Sequence, residues 1–133
     1  LFLTHEGFHG LFFADGGLRR RSESLWESFG PEEKQFWRAF LSWKQYDPYD
    51  EYLVVNELQA YLLQQSVQKA DPYYVDYTLP RMTALYPSSA PAVAALLAER
   101  PDHFTSSAAY LEEYIHSVWG LRAGDLENLK YRQ

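Results

Sequence analysis

The stretch EYLVVNELQAYLLQQ, residues 51–65, sets the strongest limit on how this chain folds. At helical spacing its apolar side chains occupy most of the circumference instead of one stripe. A helix of that kind is covered on several sides in the folded protein. No other part of the chain offers a sheet to cover it, since there is no sustained alternation, no hairpin signal and no repeat. The cover has to come from further helices.

Proline, glycine and capping residues delimit those helices. Residues 2–13 have helical spacing, with Leu1, Phe8, Leu11 and Phe12 on a shared apolar sector, and Asp15-Gly16-Gly17 breaks the segment. Ser22 or Ser24 is placed to cap a short helix ending near Phe29. Gly30-Pro31-Glu32-Glu33 opens the next, with proline at the first position and two acids at the positive end of the helix dipole. That helix carries Phe36, Phe40 and Trp43 on one face and should end near Tyr46. The spacing predicts a long helix from about Glu51 to Lys69, another over 74–86 containing Pro80, an alanine-rich one over 91–99, and one over 106–119 capped by Thr105 and closed by Gly120. Asp125 is placed to cap a last turn or two. The expected fold class is all-α, an irregular multi-helix arrangement in a single domain spanning 1–133.

With 47% hydrophobic and 17% aromatic residues, the 133-residue chain has the composition of a globular protein. Its net charge of −6 argues against nucleic acid or an anionic membrane as partner. Arg19-Arg20-Arg21 runs straight into Ser22 and Glu23 and reads as a solvated turn. No apolar run is long enough to span a bilayer. Without cysteine there is no disulfide and no thiolate ligand. Leu1 is not a start methionine, and the expectation is that the chain is a piece of a longer protein whose N-terminal part precedes it.

His5-Glu6-Gly7-Phe8-His9 is the motif with chemical content. Residues four apart on a helix share a face about 6 Å apart along the axis. Two imidazoles so placed can bind one zinc ion, with bonds of about 2.0–2.1 Å. Glu6 is turned about 100° from His5, where it can act as general base on a metal-activated water. A catalytic zinc needs a third protein ligand. Glu57 is the candidate, because it shares a helical sector with Leu53, Val54, Ala60 and Tyr61, and a carboxylate there needs a partner or a metal. Asp15, six residues after His9, is the competing ligand, although Phe12 stands where a sharp turn toward it would require glycine.

These elements resemble the gluzincin zinc metallopeptidases, which share H-E-x-x-H on one helix and a glutamate on a later helix, often within an Asn-Glu pair. Here they are His5, Glu6, His9 and Asn56-Glu57, within the first half of the chain. The resemblance implies zinc held by His5, His9 and Glu57 on two packed helices, Glu6 as general base, and a peptide or protein substrate. Two departures stand out. Glu57 follows His9 by 48 residues, so the helix starting at Pro31 is an insertion. Tyr61 stands where some members place an acid that orients a histidine. His103, His116, Tyr73, Tyr74, Tyr77 and Tyr114 are candidates to stabilise an oxyanion. The alternatives are a catalytically inactive relative serving as a binding or scaffold module, and a helical interaction module in which the motif is accidental.

Overall fold

The computed structural model describes residues 1–125. Among them the fold is all-α, with seven helices and no strand. They are α1 (Phe2–Ala14), α2 (Gly16–Ser28), α3 (Pro31–Trp43), α4 (Glu51–Leu63), α5 (Leu79–Leu85), α6 (Ala90–Glu99) and α7 (His103–Trp119). Helix α4 is the axis, as its all-round apolar pattern demands: Val54, Leu58, Ala60, Leu62 and Leu63 are buried, and α1, α2, α3 and α7 all pack against it. The α1–α4 contact is the most extensive among the described elements and is the one that builds the site. Phe8 and Phe12 of α1, Phe36, Trp37 and Phe40 of α3, and Phe104 of α7 are fully or almost fully buried in one connected apolar cluster.

Several boundaries differ from those read in the sequence. Asp15 alone separates α1 from α2. Its carboxylate caps α2 by accepting from the Gly17 and Leu18 N–H groups, at 2.8 and 3.4 Å, so Ser22 and Ser24 lie inside a helix that already has a cap. The triple arginine is therefore helical. Arg19 donates to the Phe12 and Phe13 carbonyls at the end of α1, and Arg21 lies over the Tyr110 ring, 3.6 Å from its centroid, and pairs with Glu113 at 3.4 Å. Helix α4 stops at Leu63 because Ser66 is extended; only a 3-10 turn, Val67–Lys69, follows.

The predicted 74–86 helix is a π-helical segment, Pro72–Thr78, running into α5. Pro80 has no N–H to give the preceding turn, and widening that turn resettles its carbonyls. Helix α7 begins at His103, earlier than a Thr105 cap would set it, and ends where Gly120 adopts φ 67°. The last turn expected after Asp125 lies outside the described residues. Among the described residues no helix is long and apolar enough to cross a membrane.

Candidate metal centre

His5 and His9 project from α1 toward α4, one turn apart, and Glu57 projects back from the middle of α4. His5 is buried, His9 half-buried, and Glu57 is 6% exposed. The His5 Nε2 atom lies 3.0 Å from Glu57 Oε2, and His9 Nε2 lies 3.2 Å from Glu57 Oε1. The two Nε2 atoms are 3.1 Å apart.

The far side of each ring fixes which nitrogen carries the hydrogen. His5 Nδ1 meets Gln64 Oε1 at 3.0 Å, and His9 Nδ1 meets Asn56 Oδ1 at 2.8 Å. An amide oxygen only accepts, so each Nδ1 is a donor and each neutral ring turns a lone pair at Nε2 toward Glu57. The Gln59 amide nitrogen donates to the same Asn56 oxygen at 3.2 Å and to the Phe8 carbonyl at 3.0 Å, which sets the Asn56 orientation and ties α4 to the α1 backbone. Two lone pairs and a carboxylate facing one point call for a proton or a cation between them.

The titration behaviour of the metal-free chain follows from that crowding. Burial alone raises the Glu57 carboxyl, but hydrogen bonds from His5 and His9 outweigh it and hold the pKa at about 2. His9 is raised, first by its hydrogen bond to Glu57, against desolvation and with help from Asn56. Both shifts have the sign of an imidazolium–carboxylate pair.

A donor set of this kind could hold a metal ion. A tetrahedral ion with bonds of about 2.0–2.1 Å separates neighbouring ligand atoms by about 3.3 Å. The two Nε2 atoms lie 3.1 Å apart, and each faces a different Glu57 oxygen, His5 the Oε2 at 3.0 Å and His9 the Oε1 at 3.2 Å. The His5–Glu6–His9 group also offers donor atoms within 4.8 Å of one another and could hold a metal ion. Of the two acids, Glu57 touches both rings, whereas Glu6 is exposed and lies on a groove of about 560 Å³ that runs past His9, Asn56 and Glu57.

Asp15 is committed elsewhere. Besides capping α2, its carboxylate accepts from the Tyr114 hydroxyl at 2.9 Å and the Trp119 indole N–H at 2.8 Å. Burial pushes its pKa up, but these donors and the Gly17 and Leu18 N–H groups bring it below the usual carboxylate range. Gly17 makes room for this arrangement, since a Cβ there would collide with the Tyr114 hydroxyl.

Tyr61 does not orient His5 through its hydroxyl. Its ring packs edge-on against the imidazole with centroids 4.4 Å apart, and Gln64 takes the hydrogen-bonding role. The other residues considered as oxyanion donors are dispersed. His103 is buried with both nitrogens engaged, accepting from the Trp37 indole N–H at 2.7 Å and donating to Glu33 at 2.6 Å. Tyr74 is buried and donates to the Tyr61 carbonyl, Tyr114 serves Asp15, Tyr73 packs against the core, and Tyr77 and His116 are exposed.

Tyr46, which the sequence does not single out, lines the groove beside Glu6, His9 and Glu57. Its hydroxyl is raised by burial and then by the charge of Glu57 and a hydrogen bond to it, so it keeps its proton at neutral pH. Tyr46 is delivered by the end of α3, where Gln45 adopts φ 70° and the Tyr46 N–H reaches back to the Leu41 carbonyl at 2.9 Å. That left-handed turn is the local form of a helix stop. Glycine is its usual signal, and here there is none.

Compared with protein-family models, curated proteins and solved structures, the chain matches none. What fold and site define, among the described residues, is an all-α arrangement of seven packed helices whose His5–Glu6–His9 cluster, with H-E-x-x-H spacing, could hold a metal ion.

Proposed function

We propose that this chain is the helical domain of a zinc-dependent peptidase, with His5, His9 and Glu57 holding the ion and Glu6 acting as general base on a peptide or protein substrate. The observation that carries this reading is the pair of imidazoles whose Nδ1 atoms are tied to amide oxygens, so that both Nε2 lone pairs face one carboxylate. A bound zinc ion supplies Lewis acidity, polarising the scissile carbonyl and lowering the pKa of water.

The remaining steps belong to the chain's own residues. Glu6 follows His5 directly, so its side chain turns off the ligand face onto the groove. From there it takes a proton from the attacking water and returns it to the leaving amine, a role worth about 10²–10⁴ in rate. Tyr46 keeps its proton and lines the same groove, the position from which a hydroxyl donates to a developing oxyanion. Asn56 and Gln64 hold the rings in the tautomer that metal binding needs.

Elemental analysis of the purified chain, dialysed against metal-free buffer, tests the first half and is expected to give about one zinc per chain. The second half is tested with a mixed peptide library read by mass spectrometry: the parent chain cleaves it, and Glu6→Gln retains zinc but does not. Cleavage that survives in Glu6→Gln removes Glu6 from the mechanism. Bound zinc without cleavage by the parent chain points to a metal-binding scaffold, and absence of zinc makes the motif accidental.

A further inference from the structure

A second groove lies away from the histidines. It measures about 720 Å³ and runs along the outer face of α3, bounded by the α3–α4 loop and by Tyr86. We propose that it is a binding site for an anionic group, a carboxylate or a phosphate, and this stands independently of the peptidase reading.

Three observations converge. The first is charge. Lys34, Arg38 and Ser42 follow one another at four-residue intervals along α3, so they form a row on one face of the helix. No acid lines the groove, and neither cation forms an ion pair with a described residue. Every charged side chain on this groove is therefore a cation, in a chain whose net charge is −6. The second is an unsatisfied donor. Arg38 Nε is shielded from solvent and has no hydrogen-bond partner. A shielded donor without an acceptor is costly, and an anion taken along the Nε edge of the guanidinium removes that cost through two parallel hydrogen bonds. The third is support. The Arg38 guanidinium carbon lies 5.3 Å from the Trp26 ring centroid and 5.6 Å from that of Tyr49, and Lys34 Nζ lies 5.6 Å from Trp26. These contacts hold the cations in place before any ligand arrives. Tyr49, at the edge of the groove, is 80% exposed.

The experiment is an NMR titration of the full chain with inorganic phosphate and, separately, with succinate, each at constant ionic strength. The expected result is a saturable shift of the Arg38 Nε–H resonance and of amides in α3 and at Tyr49. Arg38→Gln should weaken the binding at least about tenfold, and Lys34→Gln severalfold. The stronger of the two titrants identifies the anion class. Shifts that grow linearly without saturating, or that fall equally on Arg19–Arg21, overturn the proposal. Should Arg38→Gln fail to fold, Arg38→Lys keeps the charge and loses the fork. Unchanged affinity in both Arg38→Lys and Lys34→Gln overturns the proposal as well.

Discussion

Replacing Glu57 by Gln keeps the shape of the side chain and removes its charge, so it isolates what the carboxylate does between the two imidazoles. In the metal-free chain the carboxyl is held at about 2 against an ordinary 4.5. At about 1.4 kcal/mol per pKa unit, that difference corresponds to roughly 3 kcal/mol of folding stability. Because the folded value is depressed, the contribution is complete above pH 4.5 and is lost as pH falls toward 2. His9 works in the opposite sense: its folded value is raised, so its share is complete below pH 6.5 and disappears as pH rises through that raised value. Urea unfolding in the presence of a chelator at pH 5.5 should therefore show Glu57→Gln less stable by up to about 3 kcal/mol, and the gap should close on approaching pH 2. Zinc binding gives a second readout. Structural zinc sites supply about 10–16 kcal/mol from four ligands, so loss of one anionic ligand should cost a hundred- to thousandfold in affinity. Equal zinc affinity in parent and variant, together with stability curves that stay parallel from pH 5.5 to 2, would refute the placing of this carboxylate as the shared partner of both histidines.

Gln64→Leu removes the acceptor that holds the His5 tautomer, and competition with a chromophoric chelator should show zinc affinity down about 10–100-fold. Gly17→Ala forces the Tyr114 hydroxyl off Asp15; losing hydrogen bonds to a charged acceptor should cost about 1.5–3 kcal/mol in chemical unfolding, with zinc content unchanged. Trp37→Phe leaves His103 Nε2 buried without its donor and should cost about 1–3 kcal/mol, read as a lower Tm, again without effect on zinc.

The parts of this molecule that were legible in the sequence are those governed by short-range spacing. His5, Glu6 and His9 are brought together by one helical turn, and the burial of Phe36, Phe40, Val54 and Ala60 follows from apolar periodicity. Glu57 could be singled out because it is an acid inside a helix that is apolar nearly all round. What escaped depends on residues far apart in the chain. Asp15 reads as a helix breaker, yet its hydrogen bonds come from Tyr114 and Trp119 on α7. Gln64 is one of several glutamines at the end of α4 until α1 docks and puts His5 Nδ1 against it. Tyr46 enters the groove through a left-handed turn at Gln45, a residue without the chemistry that would announce one. His103 attracted notice as a histidine, but its role is decided by a glutamate and a tryptophan on α3.

The 47 residues between His9 and Glu57 are more than spacing. The two helices they contain pack differently: α2 on α1, α4 and α7, and α3 on α4 and α6. The loop that returns the chain from α3 to α4 then has two working sides. Tyr46 and Asp50 line the groove that holds Glu6, His9 and Glu57, while Pro48 and Tyr49 line the groove with Lys34 and Arg38. One groove carries the carboxylates of Glu6, Asp50 and Glu57, the charged residues of the other are Lys34 and Arg38, and four residues of one loop, 46, 48, 49 and 50, divide between them. A shorter connection between the ligand helices could still oppose two histidines to a glutamate, since that depends on α1 and α4 alone. It could not supply the tyrosine at the edge of the metal groove or the basic groove beside it. The segment between α1 and α4 therefore shapes both grooves, while the facing of the two imidazoles on Glu57 rests on α1 and α4 themselves.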